Sequence, residues 1–484
     1  MKRVGAPRGR PASRVDTLWG RPASRIGMPL GEPTSCIGTP GGGPMSRALQ
    51  LLRRAALHAL ALLALTALLA GALGVWALHT LAPARGEWRQ TLRIGPWQRE
   101  VGVSAALRLA THPMARPLID GHRLHLASGQ WQLRSRADGE LDAYCAPCTL
   151  RLRALGAQPL TLPSAQLRLR RVDADRYQGT LQFGEAAQPV ELAWRADLRM
   201  GTPSLVLTLR ETPLAHVAAL FRADVPEVAH ARIDGTLAFT ARVSGSDARW
   251  RIDPRLEGFA VTGLGTEGLL HVVPPDACRG AERTRPLGGW LPRAVIAAED
   301  QRFHEHYGYD LGEMLAAWRR NQSRDAAPHG ASTLTQQLAK LLFTGDERSA
   351  ARKLRELLYT VEMEHTLGKA RILQLYLAIA PWGPGVCGAE AASRHYLRKS
   401  ASRLDPVEAA WLASLLVHPE REWQRVLARG AIDHERVERL IGDMRPMSAE
   451  RRAQALERLS EWAPSMLREQ GREGLASTRL NGVP

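Results

Sequence analysis

Glu299 and Asp300 close the alanine-rich run AVIAAEDQRFHEHYG, residues 294–308. A carboxylate at the end of an apolar helix is either a solvated helix end or a proton-handling group whose pKa is raised by lost solvation. Phe303, His306 and Gly308 follow closely, where they would shape such a site. His304 and His306 form an HxH pair, a weak metal signal by itself. Downstream, HGASTLTQQLAKLLF carries Ser332, Thr333, Gln336, Gln337 and Lys340. Thr333 and Gln336 have the spacing of a capping box. Ser332, Gln336 and Lys340 recur at four-residue steps, so a helix would put them on one face. In ARKLRELL, Arg352 and Lys353 stand four and three residues before Glu356, which gathers two cations and an acid on one turn. An exposed helix salt bridge has the same spacing.

The elements that must position these residues emerge from composition. At 484 residues the chain is long enough for two or more domains. Its formal charge is +17, yet lysine occurs only at positions 2, 340, 353, 369 and 399. Three of those five fall between 340 and 369, a hint that a compact ammonium is wanted there. The basic balance suits nucleic acid, an anionic membrane surface or an anionic substrate. No zinc-finger, homeodomain or aromatic-basic RNA pattern occurs, so nucleic acid is the weakest of the three. Ala59 to Leu78 run 20 residues without a charge, the length of a bilayer crossing. Arg47, Arg53 and Arg54 precede it, so the positive-inside rule predicts a single-pass anchor with a cytoplasmic N-terminus. The bulk of the chain then lies in the periplasm. A cleaved signal peptide is the competing reading. There, oxidation would let Cys145 and Cys148 of CAPC close a local disulfide. Cys36, Cys278 and Cys387 show no metal spacing.

Five segments follow. Residues 1–44 carry an 11-residue Gly/Pro/Ser repeat that cannot build a core. This is a disordered tail or an upstream translation, with Met45 as the expected start. Residues 45–84 hold the basic flank and anchor. Residues 85–272 alternate apolar with polar or arginine in segments such as QWQLR, AQLRLRR and PVELAWRA. That is the pattern of an antiparallel sheet with one solvated face, interrupted by a helix at PLAHVAALFRA. After the joint VVPPDACRGAERTRPLGGWLP the period becomes helical. Residues 273–428 form the segment with the site residues, and 429–484 a charged helical extension.

In order, EDQRFHEHYG, GASTLTQQLAK, RKLRE, KARILQLYL and GAEAASRHYLRK resemble the peptidoglycan glycosyltransferases (glycosyltransferase family 51), closest to their monofunctional biosynthetic branch. The resemblance covers roughly residues 286–425. No serine stands three places before a downstream lysine, so the SxxK transpeptidase pattern is missing, and so is KTG. The resemblance implies a mainly α, lysozyme-like catalytic domain, which with the transmembrane helix and antiparallel β-rich middle domain read above makes an α+β multidomain chain. It implies an inverting enzyme of the inner membrane that polymerises glycan strands from lipid II and releases undecaprenyl pyrophosphate. Glu299 matches the catalytic base. Glu356 matches the second essential carboxylate, and Lys340, Arg352 and Lys353 the pyrophosphate-side cations. Ser332, Thr333, Gln336 and Gln337 belong to the substrate-binding motif, while Asp300, Phe303, His306 and Gly308 shape the site. The partners implied are lipid II, the growing strand and the membrane, with cell-wall synthesis proteins reached through the β-rich domain. No organic cofactor is expected, and Mg2+ or Mn2+ is a candidate metal. Leu341, Ala378, Pro381 and Leu397 depart from the family pattern. A non-catalytic lipid II-binding scaffold and a lytic, lysozyme-like glycosidase are the alternative readings.

Overall fold

The computed structural model describes residues 44–94, 97–136, 138–151, 158–185, 187–199, 202–245, 247–271, 289–321 and 330–467. The 11-residue repeats, Cys36, Cys278, most of the joint and the boundary drawn at residue 273 lie outside these. The first unit is built on helix α1 (Pro44–Thr80), which contains the one candidate membrane span among the described residues, Leu52–Trp76. Within that span the leucines from Leu52 to Leu73 are exposed, an apolar surface that water would not tolerate but lipid would.

Within the second unit, a hairpin (Arg89–Ile94 paired with Trp97–Gly102) precedes the expected sheet. Among the described residues that sheet has nine strands: β1 (Arg123–Leu126), β2 (Gly129–Ser135), β3 (Leu141–Cys145), β4 (Ala165–Arg171), β5 (Arg176–Phe183), β6 (Val190–Asp197), β7 (Ser204–Pro213), β8 (Arg232–Ser244) and β9 (Arg249–Thr262). Every pairing is antiparallel, and spatial order follows chain order. Alternation shows why. In β6, Val190, Leu192, Trp194 and Ala196 are buried while Glu191, Ala193 and Arg195 are exposed. The buried face gathers two apolar clusters. One, around Leu169, Tyr177 and Trp194, is covered by the helix Val103–Ala110. The other, around Val190, Leu192 and Leu209, is covered by the expected short helix, Leu214–Ala219. Cys145 and Cys148 are disulfide-bonded beside the second cluster. The sequence pattern did not yield β9, because Pro254 and Gly258 resemble breakers. As the edge strand, β9 leaves proline's missing N–H without a ladder partner to disappoint.

The C-terminal region is mainly helical: α2 (Trp290–Glu299), α3 (Leu311–Arg320), α4 (Leu334–Ala339), α5 (Ala350–Thr366), α6 (Gly368–Ile379), α7 (Ala389–Leu397), α8 (Pro406–Ser414), α9 (Pro419–Arg429), α10 (His434–Asp443) and α11 (Ala449–Leu459). α8 is buried along nearly its whole length, and Asp405 caps it in a capping box with Glu408. It fills the centre, against α2, α10 and α11. The charged extension joins this core through Ala455, Leu459 and Trp462.

Sheet and helices meet along α5. Leu358 and Val361 pack with Val225, Ile233 and Val261. Arg355 Nε reaches Glu227 Oε1 at 2.6 Å, and Glu362 Oε1 accepts from the Leu264 amide at 2.7 Å. Gln158 forms a backbone bridge to Ser349, which caps α5. The helix that carries Arg352, Lys353 and Glu356 is therefore held from behind by the sheet region.

Candidate active site

α2 forms because apolar residues recur on one face: Leu291, Ala294, Val295 and Ala297 are buried, and the helix ends at Glu299. The Glu299 carboxylate is enclosed. Its Oε2 accepts from Gln337 Nε2 at 2.9 Å, and its buried Oε1 has no partner. Burial pushes its pKa up; the Gln337 hydrogen bond and the positive charge of Arg436 pull the other way, while Asp300 adds to the rise. Gln337 is fixed in turn by Tyr376 Oη, which donates to its Oε1 at 2.8 Å. Both oxygen and nitrogen of that amide are thus assigned by their partners.

Asp300 turns away from Glu299. It accepts from the Leu334 amide at 2.9 Å and from His306 Nε2 at 2.9 Å, stitching the end of α2 to the start of α4. His306 Nδ1 accepts from the Gly308 amide at 3.2 Å, so Nε2 carries the proton. Gly308 has φ +84, and a Cβ there would stand 2.6–2.7 Å from Glu364 and Thr360 on α5. Its carbonyl accepts from Thr333 Oγ1 at 2.5 Å. Phe303 is fully buried, with the Lys369 ammonium 4.6 Å from its ring centre.

The capping box is present: the Gln336 amide donates to Thr333 Oγ1, and the Thr333 amide donates to Gln336 Oε1, both at 3.1 Å. Gln336 and Lys340 keep the expected α spacing, with the Lys340 amide bonded to the Gln336 carbonyl, but Ser332 falls outside the helix. Ser332 precedes the cap and is exposed, Gln336 is buried, and Lys340 opens a π-helical turn (Lys340–Thr344). The extra residue in a π turn rotates the following side chains off the α-helical register. Lys340 pairs with Asp346, whose carboxyl is held below its usual range by that ammonium and by Arg352.

On α5, Ser349 caps the helix and the expected turn forms. Glu356 is buried, with one oxygen on Arg352 Nη1 at 2.5 Å and the other on the Lys353 ammonium. Lys353 also donates to Ser332 Oγ at 3.1 Å. A pair with so little exposure differs from the exposed helix salt bridge that spacing alone permits. The short α4 joins two features: Glu299 hangs on it through Gln337, and the cation cluster touches its approach through Ser332. Tyr376 and Arg436 were not singled out from sequence. Tyr376 lay within the quoted run KARILQLYL, but nothing in its spacing reveals a bond to Gln337.

A family model described as Transglycosylase matches residues 281–445. A biosynthetic peptidoglycan transglycosylase of Thiobacillus denitrificans is 42% identical over 175 residues, 34% of this chain and 72% of the relative. The chain belongs to the transglycosylase family. Proteins of the same name from Nitrosomonas eutropha and Nitrosomonas europaea are 45% and 50% identical over 151 and 133 residues, or 30% and 28% of this chain. The matches cover 62% and 54% of those two relatives, so the chain spans a little over half of their length. All the site residues from Glu299 to Glu356 fall inside the matched model, whereas strands β1–β9 lie outside it.

Proposed function

We propose that this transglycosylase polymerises peptidoglycan glycan strands from lipid II at the outer face of the inner membrane, anchored by α1 with its N-terminus in the cytoplasm. The observation that carries the reading is an enclosed carboxylate with one unbonded oxygen, hydrogen-bonded to a short helix whose approach touches Lys353 and whose end is Lys340. Glu299 Oε1 takes the proton from the acceptor sugar's 4-hydroxyl as that oxygen attacks the donor's anomeric carbon. The bond from that carbon to the pyrophosphate oxygen breaks, and the electron pair leaves with the lipid pyrophosphate. Lys340, Arg352 and Lys353 stabilise the charge that grows there. One displacement inverts the anomeric configuration. Glu356 aims two of the three cations. The missing SxxK and KTG patterns support a chain without a transpeptidase step.

The donor set does not favour a resident divalent ion. Both Glu356 oxygens are engaged by cations, and the described residues contain no group of three or more His, Cys, Asp or Glu suited to a metal. No step above depends on one. Ala378, one of the departures from the family pattern, is buried against Gly388, and the Glu299–Gln337–Tyr376 chain of hydrogen bonds bypasses it.

The test is polymerisation of lipid II by the detergent-purified full chain beside Glu299→Gln and Glu356→Gln. Strands from the parent and from neither variant are expected. Lipid II binding without strands would favour the scaffold, and fragments released from finished wall would favour a lytic glycosidase.

A further inference from the structure

The solvated face of the nine-stranded sheet is not an even mixture of charges. Reading across the strands by register, Arg170 stands opposite Gln178, Gln178 opposite Arg195, Arg195 opposite Val206, Val206 opposite Arg242, and Arg242 opposite Arg251. This transverse row contains four arginines and no acid. All four are exposed, and among the described residues none has a hydrogen-bond or ion-pair partner. Other arginines on or beside the sheet are paired, Arg136 and Arg168 with Asp142, Arg176 with Asp173 and Arg199 with Asp197. The exposed Arg123, Arg134 and Arg210 also carry no partner among the described residues, but they stand singly outside this row. Arg242 and Arg251 are directly opposed, and like charges so placed destabilise a sheet unless something neutralises them.

We propose that this row is a docking track for an anionic glycan: an uncrosslinked strand whose peptide stems carry carboxylates. The idea rests on the function proposed above, because that strand is the reaction's product. Three observations select this occupant. Guanidinium groups pair with carboxylates through two parallel hydrogen bonds, and here four are unspent. Strands lie about 4.8 Å apart, so Arg170, Arg195 and Arg242 recur about every 10 Å across the sheet. That interval is about one disaccharide of a β-1,4-linked strand and suits one stem per arginine. The next row on one side offers Thr180, Thr208 and Thr240 to sugar hydroxyls, with Arg168 and Asp142 further along it, and the row beyond that offers Gln132, Tyr144, Gln166 and Gln182. Asp253 and Glu191 end those two rows, and the row on the other side of the arginines carries Arg176, Asp197, Ser204, Ser244 and Arg249, with Asp197 already paired to Arg199. The strand lies across the β-strands, perpendicular to them.

The experiment measures binding of purified, preformed, uncrosslinked glycan strands to the full chain in detergent, for the parent and for an Arg195→Glu/Arg242→Glu double variant. Binding in the catalytic groove is common to both forms, so the difference reports the sheet. The variant is expected to bind about tenfold or more weakly. Its melting temperature should be no lower than the parent's, and its initial rate on lipid II should match. Amidating the stem carboxylates should erase the difference, and raised salt should shrink it. Equal affinity of the two forms overturns the proposal. So does a loss confined to phosphatidylglycerol vesicles without glycan, which would assign the row to anionic lipid. Strand binding is measured apart from turnover: a chain that fails to polymerise lipid II yet shows the arginine-dependent binding refutes the enzyme reading and leaves the track standing.

Discussion

A carboxylate whose pKa is raised by burial is a local liability as well as a tool. Glu299 binds its proton more tightly folded than unfolded, so the folded state gains relative stability at acid pH. That gain is complete below the ordinary carboxylate range and is lost as pH rises through the folded pKa. Glu299→Gln should therefore raise the melting temperature at neutral pH while polymerisation falls about 100-fold or more. The thermal gain should vanish near pH 4, and a gain of the same size at both pH values would contradict the assignment. Gln337 donates to the charged form, so losing that bond raises the pKa further. For Gln337→Leu, the acidic limb of the pH–rate profile should move to higher pH. Tyr376→Phe should move it less and in the same direction, since it frees the amide without deleting it. An unmoved limb in both variants would mean that Glu299 is not the group titrating in the rate.

Among the elements, α5 does the most varied work. Its first turns hold the cations, one side packs against the sheet region, and Thr360 and Glu364 leave room for only a hydrogen at Gly308. Gly308→Ala combines a left-handed backbone angle with two close contacts; it should destabilise the chain by about 2 kcal/mol or more, read by denaturant unfolding. A neutral result would show that α5 yields easily. Much of this was legible in sequence. The box at Thr333 and Gln336, the Arg352–Glu356 turn and the alternation of β6 follow from local spacing, and local spacing survives folding. What spacing could not supply was anything set by contact at a distance: the Tyr376–Gln337 bond, the Glu227–Arg355 pair, or the unpaired row on the sheet. The shared face expected for Ser332, Gln336 and Lys340 holds for the last two and fails for Ser332. A helix face begins only where the helix does, and here Ser332 stands before the cap at Thr333.

Across the whole molecule, the two regions differ in how far along the chain each contact must reach. Consecutive strands of the sheet are neighbours in space, so each new strand finds its partner already made. In the helical region α2 waits for α8, and the Glu299 pocket waits for Arg436 on α10. Contacts between near neighbours form fast, and distant ones pay for loop closure first. Pulse-labelled hydrogen exchange during refolding should therefore show β4–β9 protected before α2, and simultaneous protection would refute the order. A chain is synthesised from its N-terminus, so strand order is also a timetable. The sheet can be complete before the last helices exist, and α5 then emerges onto a finished surface that is ready to receive Leu358 and Val361. In that sense the β-rich region is a template for its own enzyme, a chaperone carried in the same chain.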